Sequence, residues 1–442
     1  MKKVVLSALA ATIVTSAVYA ETMTLFSDPK TGQVFTTAGE GRVEMGDFID
    51  AKTIDINQRE SESAFSEYKD AQKKYVNVKS KAKTLEFSGT HYFGLTSANP
   101  ETNGAAKNQS TGFELRRNYV QVKAFINDKD FFRVTMDTTK ELGSSTTTYA
   151  NIYAKYAYLY LDSVLPYTGV EIGIAHRPWI DYEEHNSWHY RSFNKVILEE
   201  KGTTTESGVD LINSADLGVN FKTKTENFSS EIGVFNGEGY HADKLANNQQ
   251  NSQDLSLEWR LTGHILGSGK KLGKNDRTKD TYANISTYGL ISKNHKDNNT
   301  TLNDATEYDR SIYGIHAVYN QPEFLVAAQY FTAKDVAQNE TATGADGKNY
   351  KGWSVNAEYR PFTDWTVIGR YDAYQIETVT KGTGATAVTT DGTKTIGALA
   401  YKYNKNVSFI GSAKFINEDG ATVGTDSGQT KDVYMMTTEV KW

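Results

Sequence analysis

The stretch Lys351–Phe362, KGWSVNAEYRPF, decides the fold class. Its apolar and polar side chains fall on opposite phases of a two-residue period. The apolar phase holds Trp353, Val355, Ala357 and Tyr359, and the polar phase holds Ser354, Asn356, Glu358 and Arg360. Alternation of this kind predicts a β-strand with one apolar face and one polar face.

The same alternation recurs along most of the chain. It is clear in DLSLEWRL (254–261) and in NVSFIGSAKF (406–415). The pattern predicts about sixteen strands, near residues 84–95, 112–126, 130–141, 148–161, 168–177, 208–222, 227–237, 252–266, 281–293, 308–320, 322–334, 350–361, 364–376, 393–404, 406–417 and 431–442.

The connections between these segments alternate between short and long. Short ones such as NDKD (127–130) and NQPE (320–323) contrast with long polar ones such as TSANPETNGAAKNQS (96–110) and the stretch 178–207. Only GSGKKLGKNDRTKD (267–280) is long where a short turn is expected. Short turns on one side and long loops on the other are typical of a transmembrane β-barrel in an outer membrane. Closure leaves no unpaired backbone groups in lipid, so we predict an all-β, antiparallel barrel.

The last segment, KDVYMMTTEVKW (431–442), alternates up to its final residue. Chain ends usually fray, but the last strand of a barrel must pair with the first. We therefore expect Trp442 on the lipid face at the periplasmic rim, where amphipathic rings are favoured. A terminal aromatic residue also resembles the signal that the barrel-assembly machinery recognises, which makes that machinery an expected partner.

The first twenty residues predict a signal peptide. Lys2 and Lys3 precede an apolar run that ends in Val18-Tyr19-Ala20, which predicts cleavage after Ala20 and export to the outer membrane. A single membrane anchor helix is the alternative, but the run is short for a span. Cleavage changes the formal net charge from -6 to -8, because this segment carries two lysines and no acid.

Residues 21–80 differ from the rest of the chain. They are turn-rich at first and then highly charged, with Phe65, Tyr68 and Tyr75 at helix-like spacing. We predict a periplasmic leader over 21–80, partly irregular with a short helix, followed by the barrel over 81–442. The sharper alternative is that this helix oligomerises or plugs the channel.

Composition excludes several classes of site. The chain has no cysteine, which excludes a disulfide framework and thiolate metal ligands. Its acidic balance and the lack of a phosphate-cradling glycine loop argue against a nucleic-acid partner. His185 and His189 lie four residues apart beside Glu183 and Glu184, which on a helix would suit a metal ion. In a polar loop, solvation or hydrogen bonding is the simpler role, so we predict neither metal nor cofactor.

Two stretches resemble the phosphate-selective porin (O and P type) family. They are GFELRRNYVQVKAFINDKDFFRVTMDT (112–138) and VEIGIAHRPWIDYEEHNSWHYRSFNKVILEEKG (170–202). The resemblance implies a sixteen-stranded, homotrimeric channel whose third external loop folds inward to narrow the pore. In the strand assignment above, residues 178–207 form the third and longest of the long loops. The leader lies outside the resemblance.

Strand phase predicts which cations line the lumen. In the first wall of the barrel, these are Arg117, Lys123, Arg133, Lys155 and Arg177, and the inward loop adds Arg191 and Lys195. Cations in a narrow, wet constriction concentrate anions. The same phase analysis places Tyr156, Tyr158 and Tyr160 toward lipid. The resemblance implies that Arg116-Arg117 matches an arginine pair at the constriction, although strand phase points Arg116 outward.

Three degrees of selectivity stay open at this point. The acidic chain and the loop acids Asp181, Glu183, Glu184, Glu199 and Glu200 favour a weakly selective diffusion pore. The basic wall favours anions, and the resemblance favours phosphate.

The predicted function is passive diffusion of small hydrophilic solutes and inorganic ions. A barrel enzyme of the lipase or protease type is the main rival, and a soluble secreted β-protein is another. Ser187 and His189 are too close in sequence to form a triad by themselves, and no esterase elbow is present. We therefore predict no catalytic residue.

Overall fold

The computed structural model describes residues 22–49, 81–102, 105–106, 109–138, 152–201, 207–237, 239–240, 255–296, 307–337, 346–380, 387–422, 425–426 and 428–442. The chain divides into two compact units, 1–81 and 82–442. The predicted signal peptide and the helix expected around Phe65 lie outside the described residues.

The described part of the first unit is a small antiparallel sheet. Its strands are β1 (Thr22–Ser27), β2 (Val34–Phe35) and β3 (Val43–Ile49), in the order β2-β1-β3. The register shifts between Leu25 and Phe26, opposite Gly46. Gly46 has φ 108°, a conformation that favours glycine. This part of the leader is thus more regular than its turn-rich sequence predicts.

The second unit is a closed antiparallel barrel of sixteen long strands, which confirms the predicted fold and strand number. The sixteen strands are β4 (Thr84–Thr102), β6 (Ser110–Phe125), β7 (Phe131–Thr138), β8 (Ile152–Leu165), β9 (Thr168–His176), β10 (Ala215–Lys224), β11 (Phe228–Phe235), β12 (Ser256–Leu266), β13 (Tyr282–Lys296), β14 (Glu307–Gln321), β15 (Phe324–Ala337), β16 (Asp346–Phe362), β17 (Trp365–Thr380), β18 (Ala387–Lys402), β19 (Val407–Thr422) and β21 (Gln429–Lys441). Two-residue strands β5 (Ala105–Ala106) and β20 (Thr425–Asp426) pair antiparallel with the ends of β4 and β19. Among the described residues, no helix is long and apolar enough to cross a membrane.

The two phases of each strand face opposite sides of the barrel wall. In β16, Trp353 and Tyr359 are exposed on the outer surface, whereas Ser354 and Glu358 are buried on the inner side. An outer surface of exposed apolar side chains around a polar interior inverts the usual arrangement of a soluble β-protein.

The last strand closes the barrel against the first. The Gly89 N–H donates to the Trp442 carbonyl at 2.8 Å, and the Trp442 N–H donates to the Gly89 carbonyl at 3.1 Å. The indole Nε1 of Trp442 donates to His91 Nε2 at 2.9 Å. A Cβ at position 89 would lie 2.5 Å from the indole ring, so glycine makes room for it. Pairing up to the terminal residue explains why the alternation does not stop earlier.

Several predicted strand boundaries are wrong. β4 ends at Thr102, not near residue 95, β18 begins at Ala387, not near residue 393, and β10 begins at Ala215, not near residue 208. Before β10, Val209 and Leu211 alternate like strand residues, but they and Ile212 are buried with other residues of the loop between β9 and β10. Their apolar side chains pack this loop against the inside of the barrel and are not part of the barrel wall.

Candidate functional site

The loop between β9 and β10, residues 177–214, contacts the inner face of strands far from it in sequence. We call it the long loop; its residues 202–206 are not described. It contains helix α1 (Ile180–Asn186). Its contacts with inner side chains are the stacking of Trp179 on Tyr288 at 3.6 Å, and hydrogen bonds from Gln329 to Glu183, from Asn356 to the Ser187 carbonyl, from Arg370 to the Lys195 carbonyl and from Lys394 to the Ser207 carbonyl.

Apolar packing holds the long loop to the same part of the wall. A single buried cluster combines loop residues with inner residues of β13 to β19, including Ile180, Phe193, Ile197, Leu198, Leu290, Ile312, Phe331, Ile368 and Ile396. Large apolar side chains would be unfavourable on a wet inner wall, and each one buried contributes about 1.5–3 kcal/mol. The loop therefore covers an apolar patch that water would otherwise meet.

Two β-bulges correct the phase analysis, and the first of them turns an additional cation inward. On β6, the register passes from Arg117 to Leu115, so Arg116 is the extra residue. Its guanidinium reaches the buried Phe193 carbonyl of the long loop at 3.5 Å and Glu114 at 2.9 Å. Arg116 and Arg117 thus both face inward, because a bulged strand places two successive residues opposite one partner.

The second bulge lies on β8, where Lys155 is the extra residue between Ala154 and Tyr156. The expected lipid-facing placement of the β8 tyrosines is wrong for this reason. Tyr156 and Tyr158 are buried toward the lumen, where they contact Arg133, and Tyr160 has the same phase as Tyr158.

Four of the seven predicted cations lie on the first wall without a carboxylate partner. Arg117 stacks on Tyr119 at 4.1 Å, and Arg133 lies over Tyr156 at 4.7 Å. Lys155 Nζ is buried over the Tyr240 ring at 3.3 Å and has no hydrogen-bond partner in the described part of the chain. Lys123 Nζ lies 5.2 Å from the centroid of the Phe131 ring. Within the described ranges, none of the four has a carboxylate oxygen within 4.0 Å. Arg117 and Arg133 line the cavity described below and present their charge to it, whereas Lys155 is almost fully buried and presents little charge to a solute.

The other three predicted cations are paired. Arg177 binds Glu258 through Nε at 2.8 Å and Nη2 at 2.5 Å. Arg191 binds Glu184 and Glu199, the latter also through Nη2 at 2.6 Å. Lys195 lies 4.0 Å from Glu199. These ion pairs stabilise the position of the long loop. Because the three cations are paired, they present less net positive charge to a solute than the sequence suggests.

A cavity of ≈ 790 Å³ is bounded by the first wall, the long loop, the turn over residues 267–281 and the last strands of the barrel. Its charged lining comprises nine basic residues, Arg117, Arg133, Arg191, Lys224, Arg277, Arg360, Lys402, Lys405 and Lys441, and six acidic residues, Asp181, Glu184, Glu231, Asp276, Asp364 and Glu439.

Pairing makes the cavity lining more basic still. Of the acids, only Asp364 has no basic side chain within 4.0 Å among the described residues, since the other five are paired. Of the bases, five have no carboxylate within that distance in the same ranges: Arg117, Arg133, Lys224, Lys402 and Lys405. The available charge in the cavity is therefore positive, although the whole chain is acidic.

The acids of the long loop have divergent environments. Burial raises the pKa of Asp181, but His176 and His185, at 3.7 and 3.3 Å, outweigh it and hold that pKa below its usual value. Burial raises the pKa of Glu183 to about 8, which keeps that carboxyl largely neutral near pH 7. Burial opposes ionisation of Glu199 as well, but Arg191 and Lys195 lower its pKa. The charge of the loop is thus smaller than its acid count implies.

The histidines of the long loop are not arranged as metal ligands. His185 Nδ1 contacts the Asp181 carbonyl at 2.7 Å, while burial lowers the pKa of His189 well below its usual value. In the described part of the chain, no group of three or more histidine, aspartate or glutamate side chains is placed to hold a metal ion.

Several inner charges were not identified as site residues from sequence. Arg370 pairs with Asp372 at 2.7 Å, Arg260 with Glu231 at 3.3 Å, and Arg360 with Glu358 at 2.7 Å. Their inward phase was visible in the strand alternation. Arg370 and Arg360 pair with acids two positions away on the same strand, and Arg260 pairs with an acid on the neighbouring strand. Alternation places such side chains on one face but does not encode which of them form an ion pair.

Comparison with solved structures finds porin-type barrels. The chain is similar to an anion-selective porin from Comamonas acidovorans, with TM-score 0.55 and 9% identity over 81% of this chain and 99% of that one. It is also similar to a loop-deletion mutant of OmpT, an outer membrane protein of Vibrio cholerae, with TM-score 0.53 and 15% identity over 81% and 99%. The trimer form of OmpT matches at TM-score 0.51 and 13% identity, over 81% and 99%.

No family model and no curated protein matches the chain. At these identities, the structural similarities show the fold alone. The specific resemblance to phosphate-selective porins stays a prediction.

Proposed function

We propose that this protein is an outer-membrane channel through which small hydrophilic solutes and inorganic ions diffuse passively, with a preference for anions. The observation that carries the proposal is the cavity inside a closed barrel, lined by Arg117 and Arg133, neither of which has a carboxylate partner among the described residues. The exposed apolar outer surface supports membrane insertion. Conduction of this kind requires a wet lumen and no catalytic group.

The long loop is proposed to set the aperture by folding inward. Its contacts with inner side chains of the opposite strands and its apolar packing support this role. Between the loop and the first wall, Asp181 and Glu184 face Arg117 and Arg133 across the cavity lining. A solute passing there meets acids on one side and cations on the other, and the cations are the less neutralised group.

The proposals on oligomeric state, assembly, export and the natural solute start from the sequence. We infer a homotrimer, which the trimer form of the similar OmpT supports as a precedent in that protein. Recognition of Trp442 by the barrel-assembly machinery and export through a signal peptide over 1–20 belong to the same proposal. Phosphate stays a candidate solute, because arginine matches phosphate geometry and Arg117 has no acceptor partner among the described residues.

Reconstitution tests the channel against the rival barrel enzyme. Purified protein in planar bilayers should give discrete conductance steps in potassium chloride, and vesicles containing it should swell in small sugars. The same preparation should release no fatty acid from phospholipid and no fragment from peptides. Absence of conductance from correctly folded protein would contradict the channel, and turnover without conductance would favour the enzyme.

A further inference from the structure

The turn between β12 and β13, residues 267–281, is unlike the other described turns at its end of the barrel. Six of those turns, such as 166–167 and 403–406, span two to five residues, whereas this one spans fifteen. It joins strands at the end opposite the long loop. We call it the inner turn, because its contacts run toward the lumen.

The inner turn is fixed to the neighbouring hairpin and to the apolar cluster of the long loop. The Gly269 N–H donates to the Glu226 carbonyl at 2.8 Å, and Lys224 Nζ donates to the Leu272 carbonyl at 2.9 Å. Leu272 is 5% exposed and belongs to the same buried cluster as the long loop. The turn is therefore packed into the barrel end and does not extend away from it.

Arg277 connects the inner turn to the long loop and to β16. Its Nη1 donates to both carboxylate oxygens of Glu358 on β16, at 2.8 and 2.9 Å, and to the Tyr190 hydroxyl of the long loop at 3.1 Å. On β14, the Asn320 amide donates to the carbonyls of Arg277 and Asp280 at 3.0 and 2.7 Å. One side chain thus connects the turn, the long loop and a distant strand.

A second contact connects the end of the inner turn to the long loop. The hydroxyl of Tyr282, the first residue of β13, donates to the Asn186 carbonyl at the end of α1 at 2.8 Å. The loop is consequently held by the barrel wall on one face and by the inner turn from the opposite end.

We propose that the inner turn is a second constricting element, which enters the lumen from the end opposite the long loop, and that Arg277 is the positioning residue that holds the two together. This inference rests on the proposed channel function. The turn closes the part of the lumen beneath the long loop and confines solutes to the path along Arg117 and Arg133. Tyr190 is fixed by the same guanidinium, so the loop cannot move independently of the turn.

The Arg277→Ala variant tests the connection between the inner turn and the long loop without leaving a buried carboxylate unpaired. Glu358 also pairs with Arg360 at 2.7 Å, so Arg277→Ala leaves no carboxylate unpaired. Lys279 offers a matched control, since it lies in the same turn with a side chain 79% exposed and pairs only at the surface with Asp276 at 3.0 Å. Both variants remove one positive charge from the turn, but only the first removes the connection to the loop.

The experiment measures single-channel conductance with neutral polyethylene glycols of graded size added to one side at a time. For Arg277→Ala, the largest polymer that enters from the inner-turn side should shift to a larger size. The limit on the long-loop side should stay as in the wild type, and Lys279→Ala should match the wild type on both sides. Tyr190→Phe, which removes only the hydroxyl contact, should shift the same limit by less.

Each outcome bears on a separate claim. Unchanged limits on the inner-turn side in both Arg277→Ala and Tyr190→Phe would overturn the inference while leaving the channel intact. If Arg277→Ala does not fold, as judged by its electrophoretic mobility before and after heating, Tyr190→Phe decides alone. A wild-type protein that does not conduct would instead overturn the proposed function.

Discussion

The bidentate pair between Arg177 and Glu258 should dominate how firmly the long loop is fixed to the barrel. Arg177 follows β9 where the loop begins, Glu258 lies on β12, and both side chains are almost fully buried. Removing one partner of a buried ion pair leaves the other charge buried and unpaired, which costs about 3–5 kcal/mol. We expect Arg177→Ala to lower the free energy of unfolding by that amount.

A double-mutant cycle separates the pair from its surroundings. Glu258→Ala alone should also be destabilising, because Arg177 is then left buried without its acceptor. The double variant removes both charges and should be more stable than the sum of the single losses predicts, with a coupling free energy of about 2 kcal/mol or more. The assay is urea unfolding of the protein in phospholipid vesicles. Single losses below about 1 kcal/mol that add within error would refute the reasoning.

Two further predictions concern the packing of the long loop. Because burial raises the pKa of Glu183 from 4.5 to about 8, the docked loop favours the neutral carboxyl, so the stability of the wild type relative to Glu183→Gln should fall by about 1.4 kcal/mol per pH unit as pH rises across that window. Urea titrations of both proteins at several pH values should show this slope in the difference between their free energies of unfolding; a difference that does not change with pH would contradict it. Gly314→Ala should cost about 1–3 kcal/mol, because the new Cβ would overlap the Tyr288 ring that stacks on the loop. Gly397→Ala, with no atom within 4 Å of its Cβ, is the control, and equal losses in both would argue against the packing role of Tyr288.

The fold followed from the sequence because strand alternation is local. Each of the sixteen predicted segments corresponds to one strand, and inward residues such as Arg117 and Arg133 are assigned from phase alone. Phase fails wherever a strand carries an extra residue. The bulge at Lys155 inverts the facing of the tyrosines beside it, since a shift of one residue exchanges the two faces.

The charge state of the site did not follow from the sequence. Arg177 and Arg117 appear equivalent in the alternation, but Arg177 is paired with a residue 81 positions away while Arg117 stacks on a tyrosine. Which cation meets a carboxylate depends on contacts between strands, here the end of β9 and β12, that the alternation within one strand does not encode. The unusual length of the inner turn was visible in the sequence, whereas its contact with Glu358 was not.

The central claim is that unpaired cations on the first wall give the channel an anion preference. The measurement is the reversal potential across a potassium chloride gradient, for the wild type and for the Arg117→Ala/Arg133→Ala double variant. Lys129→Ala serves as the control, because it removes a charge that lies exposed in a turn. The account predicts a wild-type potential on the anion side that falls toward zero in the double variant and stays unchanged in the control. A wild-type potential at zero or on the cation side would contradict it.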